Sequence, residues 1–203
     1  VAGDQWLNNN RASEHPTNAR TDRRCNFRNS FGTIEEITMN SGRQTKILEL
    51  AASVGQLLKE KHLFAVTAES CTGGGVAQAI TEIAGSSSWF DCGFVTYSNA
   101  SKNELLDISE ALIAQHGAVS EEIAAAMAES ALANSNADVA LSTTGIAGPD
   151  GGVPGKPVGT VCFGWVVNQI THTERLVFSG DRQAVREQSV LHALQGLQRY
   201  LTC

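Results

Sequence analysis

A strand that ends on a hydroxyl and turns through glycines into a helix can present a nucleophile beside free backbone amides. Thr67-Ala-Glu-Ser-Cys-Thr-Gly-Gly-Gly75 has this form, with Ser70 at the junction. Amides at a helix N-terminus carry partial positive charge and suit an oxyanion, while Gly73 and Gly74, beside Thr72 as a further substrate-binding candidate, let a substrate approach the backbone closely. The layout has the logic of a nucleophile elbow without the Gly-x-Ser-x-Gly spacing. Its plainer reading is a helix cap supplied by Ser70 or Thr72, with glycines for a tight turn. Cys71 is the better intrinsic nucleophile. Neighbouring side chains on an extended turn point apart, however, so only one of the two can face a crevice.

Phe94-Val-Thr-Tyr-Ser-Asn-Ala-Ser-Lys-Asn-Glu-Leu-Leu106 places Tyr97 at a second strand end and Lys102 in the first turn of the next helix. A helix N-terminus disfavours a cation by ~0.3–1 kcal/mol, and burial in a crevice acts in the same direction, toward a neutral amine that can serve as a base. Lowering a lysine pKa from ~10.4 to ~7.5 takes roughly 4 kcal/mol, so desolvation must supply most of it. A solvated lysine beside a tyrosine at a sheet edge is the ordinary alternative.

Two further segments can bind an anion. Ser142 to Gly159 is a long connection rich in glycine and proline, in which Gly145, Ala147 and Gly148 offer amides to a ligand, although it lacks the P-loop spacing. Phe178-Ser-Gly-Asp-Arg182 opens the last helix with a guanidinium suited to phosphate or carboxylate. Arg182 or Arg186 paired with a nearby acid is the bland reading. No His, Cys and carboxylate cluster suggests a metal, and no cofactor is expected.

The elements that must position these residues follow from periodicity. Ile47, Leu50, Ala51, Val54, Leu57 and Leu58 lie on one helical face, which predicts a helix from about Thr45 to Lys61. Leu63–Ala68 reads as a buried strand and Thr72–Ile83 as a helix. Strands are expected at Cys92–Tyr97, Asp138–Thr143, Gly159–Val167 and Glu174–Phe178, the last two as a possible hairpin. Helices are expected at Ser101–Asp107, Glu121–Asn134 and Asp181–Leu201, with His116 in a loop. Alternating strands and helices predict a mainly parallel sheet covered on both faces, a three-layer α/β/α sandwich whose ligands gather beyond the strands' carboxyl ends.

Composition bounds the function. The chain has 203 residues, 42% hydrophobic and 18% charged, with a net charge of −6. That charge has the wrong sign for broad contact with a nucleic-acid backbone, and no apolar run approaches the ~20 residues of a membrane span. Scattered cysteines without C-x-x-C fit a reducing, cytoplasmic setting, and no signal peptide is visible. Residues 1–38 are rich in Asn and poor in core formers, so they read as a disordered or non-native extension, with Met39 opening the domain proper at 39–203.

Ala68-Glu-Ser-Cys-Thr-Gly-Gly74, Gly93-Phe-Val-Thr-Tyr-Ser98 with Lys102, Ala114-Gln-His-Gly-Ala-Val-Ser120, Gly145-Ile-Ala-Gly-Pro-Asp-Gly-Gly152, Lys156-Pro-Val-Gly-Thr160 and Phe178-Ser-Gly-Asp-Arg182 occur in order between about Lys46 and Leu201. This set resembles the CinA C-terminal domain family, the nicotinamide-nucleotide amidases. The resemblance implies a compact three-layer α/β domain, paired as a homodimer, that hydrolyses the carboxamide of nicotinamide mononucleotide to nicotinic acid mononucleotide and ammonia. It implies Ser70 as nucleophile, Lys102 as its base and Tyr97 assisting proton transfer, with loop amides around Gly145–Gly152 and Arg182 on the phosphate. Longer members carry a separate nucleotide-hydrolysing domain ahead of this one, and residues 1–38 are too short to hold it. The alternative from a different class is a non-catalytic interaction module related to competence or DNA damage.

Overall fold

The computed structural model describes residues 34–203, with side chains from residue 42 onward. Most of the expected N-terminal extension therefore lies outside the described residues. The described residues form one compact unit.

Among the described residues six α-helices and five strands follow in the order α1 (Ile34–Lys61), β1 (Ala65–Glu69), α2 (Gly75–Thr81), β2 (Phe90–Val95), α3 (Asn99–Leu106), α4 (Glu110–His116), α5 (Glu121–Ala133), β3 (Val139–Gly145), β4 (Thr160–Val167), β5 (Ile170–Val177) and α6 (Arg182–Thr202). The strand order is β2-β1-β3-β4-β5. β1 pairs parallel with β2 and β3, whereas β4 pairs antiparallel with both β3 and β5. Only β4 runs against the rest. The β4–β5 hairpin turns at Asn168 and Gln169, both with positive φ (52° and 63°), the conformation that keeps a two-residue turn in step with strand twist.

Period-two alternation sends the strand side chains into two cores. Ala65, Val139 and Leu141 face α1, α2 and α6, while Val66, Ala68 and Ala140 face α3, α4 and α5. The α1 residues expected on the buried face are there, with Ala51, Val54 and Leu58 fully buried. Burial of such a stripe on each face closes three layers.

Local chemistry explains where element bounds differ from the periodicity. α1 begins at Ile34 rather than near Thr45, so it passes through Met39. α2 starts only at Gly75, because Gly73 and Gly74 adopt left-handed φ of 61° and 89° and turn the chain before the helix can begin; Gly74, not Thr72, is its N-cap residue. β5 starts at Ile170, ahead of the expected Glu174. α4 has no counterpart among the expected elements: Ser109 caps it by accepting from the Leu112 amide, and His116, expected in a loop, is its last residue.

Because β1, β2 and β3 are parallel, the junctions that follow them share one edge of the sheet. Ser70 follows β1, Thr96 and Tyr97 follow β2, and Ile146 and Ala147 follow β3. The turn after β5, entering α6 at Arg182, reaches the same edge, since β5 runs in the same direction.

Candidate active site

At the end of β1 the alternation decides which side chain meets which layer. Glu69 points toward α2, where its carboxylate accepts from the Val76 amide (3.0 Å) and the Ala77 amide (2.8 Å). Ser70 points to the opposite side, toward α3. Cys71 returns to the α1, α2 and α6 core. Its burial pushes the thiol up to about 12, a protonated and weakly nucleophilic state near neutral pH.

Ser70 is 8% exposed and its Oγ lies 3.2 Å from Lys102 Nζ. The lysine amine reaches it from α3, whose first turn is fixed by a reciprocal Ser98–Ser101 capping box. Lys102 is 1% exposed and also donates to the Thr96 carbonyl at 2.8 Å. No carboxylate forms an ion pair with it among the described residues. Burial lowers its pKa from the ordinary lysine range; the opposing influence of the Cys71 thiolate is weak because that thiol stays protonated. A neutral amine here has one N–H for the Thr96 carbonyl and a lone pair for the Ser70 hydroxyl. That is the arrangement of a nucleophile and its base.

A cavity of about 250 Å³ opens over this pair. Ser70, Tyr97, Lys102, Gly145, Ala147 and Arg182 all line it, so most of the expected site is brought together. Gly145 permits the close approach of β3 to β4: a Cβ there would stand 2.8 Å from the Thr160 carbonyl oxygen. Arg182 donates to the Gly148 carbonyl (2.8 Å) and to the Tyr97 hydroxyl (3.1 Å), drawing the glycine-rich loop and Tyr97 to α6. Tyr97 is 65% exposed, and this hydrogen bond turns its hydroxyl to Arg182 rather than to Ser70 or Lys102.

Three expected binding residues stand elsewhere. Thr72 is fully buried with its hydroxyl on that of Thr143 (2.7 Å), and it lines a separate cavity of about 580 Å³ among α1, α2 and α6. The Gly73 amide donates to the Ser70 carbonyl (3.1 Å), closing the turn on itself, and Gly74 caps α2. Gly148 meets the site through Arg182. Asn99, Ala118, Val119 and Thr144 also line the smaller cavity and were not singled out from the sequence. Ala118 and Val119 lie in one of the quoted motifs, and Asn99 stands two residues after Tyr97. Arg186, read from the sequence as a possible partner of an acid, instead donates to the Cys71 carbonyl (3.2 Å) and the Thr72 carbonyl (2.7 Å).

Comparison with known proteins adds an independent line. The model of the CinA C-terminal domain matches residues 47–201. The nicotinamide-nucleotide amidohydrolase PncC of Pseudomonas putida is 51% identical over 151 residues, covering 74% of this chain and 94% of that protein. The CinA-like protein of Citrifermentans bemidjiense is 50% identical over 153 residues, 75% of this chain but 37% of its own length. In three dimensions, the crystal structure of the competence damage-inducible protein A from Klebsiella pneumoniae is similar with a TM-score of 0.75 and 38% identity, covering 77% of this chain and 97% of that one.

Proposed function

The chain belongs to the CinA C-terminal domain family and is an amidohydrolase of nicotinamide nucleotides, and we propose that it deamidates nicotinamide mononucleotide through an acyl-enzyme built on Ser70 and Lys102. The observation that carries this reading is the buried Lys102 amine, free of any carboxylate partner among the described residues and 3.2 Å from Ser70 Oγ at the floor of a cavity.

In this mechanism neutral Lys102 takes the hydroxyl proton as Ser70 Oγ bonds to the carboxamide carbon. The carbonyl oxygen becomes an oxyanion on the amides after Ser70, where no charge must be desolvated during the step. Protonated Lys102 then gives its proton to the departing nitrogen, which leaves as ammonia. Water attacks the acyl-enzyme with Lys102 again as base, and nicotinic acid mononucleotide leaves as the Ser70 hydroxyl is restored. The cavity is smaller than the roughly 300–1,000 Å³ that encloses a whole drug-sized ligand. It therefore takes the reacting end of the nucleotide, with the phosphate at the mouth beside Arg182 and the loop of Gly145 and Gly148. Tyr97 is the proposed assistant in proton transfer. Its hydroxyl becomes available when a phosphate takes its place on Arg182.

Cys71 as nucleophile is the less favoured version, since its thiol is buried and protonated. A homodimer without nucleic-acid or membrane partners completes the proposal; among the described residues no helix is long and apolar enough to cross a membrane. Ammonia release from nicotinamide mononucleotide tests the reading. The wild type should release ammonia stoichiometrically with nicotinic acid mononucleotide, and Ser70→Ala should not rise above background. No release by the wild type would turn the reading toward a non-catalytic interaction module.

A further inference from the structure

Arg186 lies on the second turn of α6, half-buried, with no ion-pair partner among the described residues. Its guanidinium is committed to two consecutive main-chain carbonyls, those of Cys71 and Thr72. These belong to the turn that follows Ser70. We propose that Arg186 is the positioning residue of the oxyanion site: it sets the peptide planes whose amides receive the negative charge when Ser70 attacks. The inference rests on the amidase reading of Ser70 given above.

The geometry follows from the planar trans peptide, in which C=O and the next N–H point to opposite sides. A guanidinium holding the Cys71 carbonyl therefore directs the Thr72 N–H away from α6. The second bond, to the Thr72 carbonyl, directs the Gly73 N–H in the same manner, and that amide donates to the Ser70 carbonyl at 3.1 Å. The Ser70 amide itself donates to the Thr143 carbonyl at 2.9 Å. With both ends of the turn tied, the amides of Cys71 and Thr72 have no backbone acceptor among the described residues and lie against the Cys71 sulfur, a weak acceptor that an oxyanion can replace. These are the donors an oxyanion needs. The positive charge on their carbonyl side polarises the peptides further. Two adjacent acceptors also explain arginine: its planar fork meets both at once, which a single ammonium does in poorer geometry.

The competing role is a staple joining α6 to the β1–α2 turn. A staple lost lowers stability and leaves the turnover of folded protein intact, whereas a mispositioned oxyanion site lowers kcat at unchanged KM. Arg186 lines the cavity of about 580 Å³, so its truncation leaves a place that a small guanidinium ion can enter.

The test is steady-state ammonia release from nicotinamide mononucleotide by the wild type, R186A and R186K, with thermal midpoints, pH profiles and added methylguanidinium. R186A should lose about 10–100-fold in kcat with KM within about two-fold, because misplacing a donor by ~1 Å costs on that scale. Its pH midpoint should stay with the wild type, since Lys102 is untouched. R186K should be intermediate, and methylguanidinium should restore part of the turnover of R186A. If R186A does not fold, the kcat and KM of R186K decide by the same criterion. A folded variant with wild-type kcat and a lowered midpoint overturns the inference in favour of the staple, and a raised KM with kcat preserved overturns it in favour of substrate binding. An inactive wild type would overturn the amidase reading and this inference together; an active wild type with fully active Arg186 variants overturns this inference alone.

Discussion

Ser70 and Lys102 divide the proposed chemistry between a hydroxyl that is barely exposed and an amine that is fully buried, and each assignment can fail separately. Ser70→Ala should abolish amide hydrolysis while Cys71→Ala keeps most of it, as measured by ammonia release; the opposite pattern would hand the nucleophile to the thiol. Lys102→Arg retains the charge but cannot accept a proton near neutral pH, so turnover should fall by on the order of 10²–10⁴-fold. Near-normal turnover with a raised KM would make Lys102 an anion anchor instead. Burial lowers the folded-state pKa of Lys102. Between that value and the ordinary ~10.4, the unfolded chain binds more protons than the folded one, so stability rises with pH across this window. Lys102→Met should therefore be more stable than the wild type below the lowered pKa, and its advantage should fade as the pH rises toward ~10.4. Thermal unfolding of the two proteins at a series of pH values measures this, and a pH-independent difference would mean that Lys102 titrates normally.

At the scale of elements, α6 matters because it carries Arg182 and Arg186 to the site while packing on the sheet. It approaches β4 tightly at Gly196, where an added Cβ would overlap the Trp165 ring. That ring is fully buried, stacked on Phe163 with centroids 5.6 Å apart, and donates from Nε1 to the Ala193 carbonyl at 2.9 Å. It has nowhere to go. Alanine gains about 1 kcal/mol of helix propensity over glycine, but overpacking against a fixed ring costs about 1–3 kcal/mol. With the overlap on a fixed ring placing the cost at the upper end of that range, Gly196→Ala should lower the stability by about 2 kcal/mol, a fall in Tm of roughly 4–8 °C. A variant as stable as the wild type would show that α6 can slide on the sheet. Glu69 illustrates the same scale at the other end of the site: one buried carboxylate joins β1 to the start of α2 and thereby brackets the turn that holds Ser70.

For the whole molecule, the three layers close around buried residues that run from Ile47 onward among those whose side chains are described. Residues Met39–Cys203 alone should therefore fold and keep their activity. Soluble expression, a Tm within a few degrees of the full chain and unchanged ammonia release would bear this out. Loss of soluble protein would assign the preceding segment to the core.

The sequence by itself determined the order of most elements and the family motifs, because amphipathic periods and glycine turns are local properties. Buried stripes such as Ile47, Ala51, Val54 and Leu58 are legible without any partner in view. It also brought forward Ser70 and Lys102, since a hydroxyl and a lysine at successive strand-to-helix junctions are visible as residue types at strand ends. Only the tertiary structure decided which of Ser70 and Cys71 meets Lys102, because that depends on the pleat at the end of β1 and on which helix covers each face. Local spacing likewise missed α4, a single short helix whose stability comes from its cap and its packing. Thr72 and Arg186 mark the same limit. Thr72 looks like a site residue beside Ser70 yet turns into the core, while Arg186, 116 positions after Ser70 in the numbering, is carried to the nucleophile's turn by the packing of α6. Contacts of this kind are set by chain crossings between distant segments, which no local pattern encodes.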